Sequence, residues 1–429
     1  MRVLITGGSG FIGRNLTATL LVAGHQVVAA TRRVTEMRRR FPGIEAVYSD
    51  FNVDTIAEAW RSRLVNVDAV VNCAGILQQR RGQSIEAIHV LAPRALFDAC
   101  AAAGVRRVVQ ISAVSADVAA GTAYANTKKQ AEEYLAGLDL DWVILRPSLV
   151  YGDGSFGGTS LLRGLAALPF VLPVIGRGEQ PFQPIHMDDL AATVLWALTD
   201  PRAVRTTLSP VGPETLTLLQ IVRRLRAWLG FPPVPVLSVP LLLVRLAARF
   251  GDLTGGGPVN STALRQMQYG NVAEPEVFTA ATDLTPRSME AALSAYPSHA
   301  QDRWHARLYF LRPLLRWSLA LVWLISGIAG LLGLRGSAIE AVGSMGFSAA
   351  VTPWIAGAAS VLDIGLGLYL LARVRPALLA GVQVAVIGAY TLALTLTQPG
   401  LWLDLFGPLV KNLPILVAIL VLAALEDDR

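Results

Sequence analysis

Cysteine is nearly absent from this chain: two residues, Cys73 and Cys100, among 429. One closes an expected strand and the other sits in an expected helix. Neither has the spacing of a disulfide framework or a metal site, so no metal is expected and a reducing compartment fits. Charge is sparse too, at 16% of residues, while apolar residues reach 53% and mean hydropathy is +0.48. That excludes an ordinary soluble enzyme along the whole length. The first half nevertheless carries normal charge and turn chemistry, so the apolar excess lies after residue 310. The formal charge of +6 comes from scattered arginines, and the aromatic residues gather in apolar runs, which excludes the basic and aromatic strip of a nucleic-acid binder. An anionic membrane surface or a phosphorylated cofactor accounts for the balance better. The opening "MRVLITGG" has no apolar stretch before a small-residue cleavage site, so no signal peptide is expected.

The length favours two domains. From residue 2, short β-branched runs alternate with helical periodicity: "RVLI", a helix over 11–23, "QVVAAT", "DAVVNCAG", a helix over about 84–103, "RRVVQIS", a helix from about 124, and "DWVILRPS". This alternation predicts an α/β fold, a doubly wound parallel sheet of the Rossmann kind with right-handed crossovers. Residues 151–300 are less regular and rich in Pro and Gly, as expected for a small substrate lobe over the carboxyl edge of the sheet. Residues 301–313 read as a junction. Beyond them, apolar segments at roughly 314–334, 351–372, 376–397 and 406–425 predict an all-α four-helix transmembrane bundle over 314–429, since about twenty residues at 1.5 Å each cover the hydrocarbon core. Arg312, Arg316, Arg373, Arg375 and Arg429 fall on one side of these segments, with Arg335 opposite and Lys411 at the edge of a span. The basic side is the cytoplasmic one. "VPLLLVRLAARFG" (239–251) is too short and too charged to span; it is an amphipathic helix packed on the lobe or one resting on the bilayer surface.

"TGGSGFIGR" follows the first strand and opens the first helix. Its Gly7, Gly10 and Gly13 permit a tight turn, close approach of backbone to a pyrophosphate, and close packing of helix on strand, while the helix N-terminus attracts the anion. Phe11, Ile12 and Arg14 belong to the same cofactor loop. The second strand ends in Thr31, Arg32 and Arg33 where an NAD-selective site usually presents a carboxylate. Guanidinium groups suit a 2′-phosphate, so NADP(H) is expected over NAD(H). Asp50, followed by Phe51, is placed to accept from the adenine amino group, or is a plain loop carboxylate. Cys73, Ala74 and Gly75 close the fourth strand beside the cofactor, and Asn72 either serves the site or ties strands together.

Ser112 ends the fifth strand, Tyr124 follows twelve residues later, and Lys128 lies one helical turn beyond. Residues i and i+4 share a helix face. The ammonium is therefore expected to lower the phenol's pKa and make Tyr124 a usable acid or base, with the Ser112 hydroxyl holding the substrate oxygen. Ser115 is the other serine that fits. An i,i+4 pair of this kind is otherwise an ordinary surface feature.

Together with "LRPSLVYGDG" (145–154), "QPIHMDDLA" (183–191) and "LTPRSMEAAL" (284–293), these motifs make the first 300 residues resemble the extended or atypical short-chain dehydrogenase/reductases, in particular the NAD(P)H-binding proteins related to the accessory complex I subunit. The resemblance implies catalytic roles for Ser112, Tyr124 and Lys128. It implies further that Arg146, Pro147 and Ser148 border the nicotinamide, and that His186 and Asp188 shape the substrate lobe. His89 stands where that family often has Asn. The final region resembles a DoxX-like membrane domain through its span count and "GPLVKNLPIL" (407–416). Asp363, inside the second span, is expected to pair with Lys411 or to serve a quinone or a proton. The resulting expectation is an oxidoreductase of the bacterial inner (cytoplasmic) membrane, multi-pass, with its nucleotide domain in the cytoplasm and a lipidic or quinone-like small-molecule substrate. Two rivals stand beside it: an NAD(P)H-binding assembly factor partnered with a membrane complex, and a nucleotide-sugar epimerase or dehydratase.

Overall fold

The structure is a computed structural model that describes residues 1–79, 82–254, 257–405 and 407–426. Arg429, counted above for orientation, lies outside the described residues. Two compact units result, Met1–Ala306 and Arg307–Arg429.

In the first unit, β1 (Arg2–Thr6), α1 (Phe11–Val22), β2 (Gln26–Thr31), α2 (Val34–Arg40), β3 (Glu45–Tyr48), α3 (Glu58–Arg61), β4 (Ala69–Asn72), α4 (Ala92–Ala103), β5 (Arg107–Ile111), α5 (Ala123–Ala136) and β6 (Asp141–Leu145) follow in order. The strand Thr206–Leu208 completes a seven-stranded sheet ordered Thr206–Leu208, β6, β5, β4, β1, β2, β3. Every pairing in it is parallel. Val3, Leu4 and Ile5 are fully buried, as a strand covered on both faces requires. The strand order reverses between β1 and β4, and ligand crevices form at such a point, outside the carboxyl ends of the strands.

The helix expected over about 84–103 is broken in type. Ala87–Leu91 forms a π-helical turn before α4 begins. Pro93 supplies the reason: it has no N–H to close an α-type bond on the His89 carbonyl, so the turn widens. α4 ends at Gly104, whose φ of +75° is the left-handed conformation that glycine adopts without a side-chain clash. α5 begins at Thr122, whose hydroxyl accepts from the Ala125 amide at 3.1 Å, a side-chain cap on an otherwise unpaired donor.

The lobe gathers two-stranded sheets, among them Leu172–Ile175 with Val236–Val239, and the helices Gly158–Ala166 and Leu218–Trp228. Its core includes Tyr151, Leu162, Phe182, Ile221 and Met289.

The helix Ala300–Leu332 starts within the first unit's residues and ends within the second's. With Thr352–Ala372 and Pro376–Thr397 it gives, among the described residues, three helices long and apolar enough to cross a membrane. The fourth expected span is the shorter apolar helix Asn412–Glu426, of 15 residues, about 22 Å at 1.5 Å per residue. Leu319, Trp323, Leu366, Leu379, Ile387 and Ile419 pack inward, while Leu321, Ile325, Val361, Leu392 and Val417 remain exposed, the arrangement of helices solvated by lipid. A Cβ on Gly327 would stand 2.5 Å from the Ser360 carbonyl oxygen, so glycine there lets two backbones meet. Asp363 is buried and accepts from the Ser326 hydroxyl at 2.8 Å and from the Tyr390 hydroxyl at 3.2 Å. Two hydroxyl donors, rather than the expected Lys411 ammonium, satisfy this carboxylate.

Candidate active site

The glycine turn forms where the sequence places it. Gly7 has φ +62°, and a Cβ there would press on the Cys73 and Ala74 backbone at 3.1 Å. A Cβ on Gly13 would lie 2.4 Å from the Gly7 carbonyl oxygen. The Gly10 amide donates to the same oxygen at 2.8 Å. Gly10 caps α1 without any side-chain hydrogen bond, so the first amides of the helix face the crevice with no side chain to satisfy them. Phe11 and Ile12 pack on the core beside β1. These features fit the pyrophosphate of a dinucleotide.

At the end of β2, Thr31 donates to the Ser9 hydroxyl at 2.8 Å and accepts from the Arg33 amide at 3.1 Å. Arg33 and Arg40 both pair with Glu36, at 3.3 and 3.4 Å. Arg14 belongs to the same group: burial and the neighbouring Arg40 lower its pKa, while Glu36 raises it. Arg32 is exposed. The Asp50 carboxylate accepts from the Asn52 amide at 3.0 Å and the Asn52 side chain at 2.8 Å. Phe51 is a core ring, set edge-on to Trp60 at 5.4 Å. Asn72 proves to be a strand tie: it accepts from Thr6 at 2.5 Å and donates to Gln110 at 2.7 Å.

Of the catalytic candidates, Lys128 reaches Gly75, where it meets His89. A Cβ on that glycine would meet Lys128 Nζ at 3.2 Å and His89 Nε2 at 3.4 Å. Lys128 Nζ donates to the Ile111 carbonyl at 3.0 Å, and the Ser112 amide donates to the Leu145 carbonyl at 2.7 Å. The Ser112 hydroxyl is buried and has no partner among the described residues. Tyr124 is half-buried, with its ring edge-on to His89 at 5.5 Å.

The expected acidification of the phenol does not occur in this geometry. Burial, with the Glu132 carboxylate behind it, pushes Tyr124 up to about 12, and burial brings Lys128 down to about 8. Desolvation outweighs the favourable pairing that i,i+4 spacing suggests. Burial also raises the Cys73 thiol to about 12, so this cysteine is a neutral wall residue.

His89 occupies the π-helical turn with both ring nitrogens engaged. Nε2 accepts from the Ile76 amide at 3.0 Å, and Nδ1 faces the Thr127 hydroxyl at 2.9 Å. Since Nε2 must accept, the proton belongs on Nδ1. The sequence marks His89 only as a departure from Asn, whereas the fold makes it a link between the Gly75 loop and α5. Arg146 was expected to border the nicotinamide. Its guanidinium instead grips buried Glu132 on α5, its Nε donating at 3.0 and 3.1 Å to the two carboxylate oxygens. No local signal joins a strand-end arginine to a helix carboxylate fourteen residues earlier. The Pro147 carbonyl accepts from the Val114 amide at 3.1 Å, and the Ser148 hydroxyl donates to the Asn271 carbonyl at 2.7 Å, so this stretch fastens the lobe to the sheet. His186 stacks on Tyr296 at 5.3 Å, and Asp188 accepts from Tyr296 at 2.8 Å, a packing cluster.

Residues 3–208 match the NAD dependent epimerase/dehydratase family, and residues 320–420 match the DoxX-like family. A Mycobacterium tuberculosis protein is 30% identical over 272 residues, covering 63% of this chain. The chain spans only 28% of that relative's length. A ceramide reductase of Caulobacter vibrioides is 27% identical over 237 residues, 54% of this chain and 71% of that one. An epimerase family protein of Homo sapiens is 30% identical over 280 residues, 58% of this chain and 88% of that one. Among solved structures, MoeE5 in complex with UDP-glucose and NAD superposes with a TM-score of 0.53 at 22% identity, covering 72% of this chain and 99% of its own. The UDP-glucuronic acid 4-epimerase of Bacillus cereus, in complex with UDP-glucuronic acid and NAD, gives 0.52 at 19% identity, with 72% and 99% covered.

The expected preference for NADP(H) is corrected by these comparisons. Five similar solved structures, MoeE5 among them, are described with NAD. Beside β2, Glu36 pairs with both Arg33 and Arg40 and so engages two of the guanidinium groups that a 2′-phosphate would need. The first unit thus has an NAD-dependent oxidoreductase/epimerase fold, and a DoxX-like helical region follows it. By its match to the family over residues 3–208 and to the human relative, the chain belongs to the NAD dependent epimerase/dehydratase family.

Proposed function

We propose that this protein is a membrane-anchored, NAD-dependent enzyme of the epimerase/dehydratase type acting on a sugar hydroxyl of a nucleoside-diphosphate sugar. The observation that carries the reading is the buried Ser112 hydroxyl, without a partner among the described residues, one residue beyond the Ile111 carbonyl that Lys128 Nζ binds, with Tyr124 one turn before Lys128 on α5. Similar solved proteins bound to UDP-glucose or UDP-glucuronic acid support the substrate class.

NAD, when bound, supplies a two-electron acceptor and a positive charge that favours the phenolate. Gly7, Gly10 and Gly13 would hold its pyrophosphate, Glu36 would face its ribose hydroxyls, and Gly75 would leave room for it next to Lys128. Ser112 Oγ donates to the substrate oxygen. Tyr124 Oη exchanges a proton with that oxygen. A phenol near 12 is protonated at neutral pH, so it is ready to return a proton to a carbonyl and depends on the oxidised cofactor to act as a base. Lys128, near 8, is charged on the acid side of that value and holds the phenol's environment positive. The apolar helices support anchoring in a membrane, read here as the bacterial inner membrane with the basic helix ends and the nucleotide domain on the cytoplasmic side.

A second reading, reduction of a lipid carbonyl, is favoured by the similarity to a ceramide reductase. The deciding experiment uses full-length protein in nanodiscs. Released nucleotide is identified by chromatography, and turnover of UDP-glucose, UDP-glucuronic acid and a lipid ketone is followed by NMR. Conversion of a nucleotide sugar that is lost in Tyr124→Phe supports the first reading. Net NADH oxidation with the lipid ketone alone selects the second, and retained NAD without turnover of any of the three leaves a binding module.

A further inference from the structure

The helix Leu241–Thr254 of the lobe is amphipathic in the wrong sense for a water-facing surface. Its packed position is Ala248, at 1% exposure, and Leu241, Val244 and Gly251 are half-buried beside it. Its large apolar side chains point away from the protein: Leu242 is 66% exposed, Leu243 55%, Leu246 52%, Phe250 62% and Leu253 86%. At 3.6 residues per turn these five fall within a sector of about 100° opposite Ala248. A soluble domain puts such a stripe inside, and a contiguous exposed apolar patch marks an interaction surface. Leu237, on the strand leading into this helix, is 50% exposed as well.

We propose that this face docks into the interfacial layer of an anionic lipid bilayer, lying in its plane without crossing it. Three observations choose this occupant. The same chain carries three helices long and apolar enough to cross a membrane, so a bilayer is always at hand. Arg245 and Arg249, both exposed, flank the apolar stripe on one side, where cationic groups meet lipid phosphates. The third is the stripe itself, which is too short to span and is built of Leu and Phe, the residues of helices that lie at the headgroup boundary. Docking holds the lobe at the bilayer surface, whatever substrate the active site takes, and the inference goes beyond the function proposed above.

The test uses the full chain in nanodiscs, with Leu246→Cys carrying an environment-sensitive fluorophore and with spin-labelled lipid or aqueous iodide as quencher. The wild-type chain sets the labelling background from Cys73 and Cys100, Val22→Cys at a 91% exposed site is the water-facing control, and NADH binding verifies folding. The expected result in nanodiscs rich in phosphatidylglycerol is loss of most of the Leu246→Cys emission to spin-labelled lipid, protection from iodide, and no lipid quenching at Val22→Cys. Arg245→Glu and Arg249→Glu should each weaken docking by about fivefold. Full access to iodide overturns the proposal, as does protection from both quenchers, which means that protein covers the face. Equal lipid quenching in purely neutral nanodiscs overturns the anionic assignment.

Discussion

Lys128 Nζ donates to the carbonyl of Ile111 at 3.0 Å, which ties the one buried ammonium of α5 to the residue just before Ser112. The bond fixes the helix carrying Tyr124 against the strand end carrying the serine. It also makes Lys128 a costly group, because its charge has been taken out of water.

Lys128→Met is accordingly expected to raise the melting temperature by a few degrees while abolishing turnover. The Ile111 carbonyl keeps a second donor in Gln110 Nε2 at 3.2 Å, so the loss of the ammonium leaves it satisfied. The folded-state pKa lies near 8, below the ordinary lysine value, so the penalty is complete below about pH 8 and fades above it as the folded protein releases its proton first. Thermal unfolding at pH 7 and at pH 10 checks this: the gain from Lys128→Met should be large at the first and small at the second.

Tyr124→Phe should cut turnover by about 10²- to 10⁴-fold, the usual contribution of a positioned acid or base, with NAD affinity unchanged. Isothermal titration with NADH alongside steady-state rates separates the two effects. A parallel loss of cofactor binding would mean that the ring, rather than its hydroxyl, is what matters.

His89 is buried neutral, its pKa lowered by burial and by the Lys128 charge. The unfolded chain protonates this histidine below about pH 6.5 and the folded one does not, so stability is lost as pH falls below that value. Urea unfolding at pH 7.5 and 5.5 should show a smaller loss in His89→Asn than in the wild type. An unchanged pH slope would assign the acid sensitivity to other groups.

Glu36→Gln removes the carboxylate from between Arg33 and Arg40 and leaves both guanidinium groups unpaired by it. NADP⁺ affinity should rise by roughly tenfold, equivalent to about 1.4 kcal/mol, and NAD⁺ affinity should fall. Fluorescence titration with both cofactors reads the switch directly.

In the helical unit, Asp363→Leu strands the Ser326 and Tyr390 hydroxyls and should destabilise the bundle by about 1 kcal/mol for each. Asp363→Asn retains an acceptor and should lose less. Thermal unfolding in detergent distinguishes them, and equal losses would show that charge rather than hydrogen bonding is what the site requires.

The sequence by itself determined the parallel α/β unit, the glycine turn and the apolar helices, because each is written in a local period or a short spacing: alternating strand and helix runs, GxxGxxG, runs of about twenty apolar residues. It misjudged what depends on distant partners, and one local pairing was passed over: Glu36 stands three residues after Arg33 and four before Arg40 and pairs with both. The tyrosine and lysine read as an acidified phenol until burial, a property of the whole packed unit, moves both pKa values the other way. The 239–251 segment reads as amphipathic in either orientation, and only the packing of Ala248 against the lobe decides that its leucines face outward. Local spacing fixes which side chains share a surface; the dielectric around them arises from chain segments far away in sequence, and only the tertiary structure brings those together.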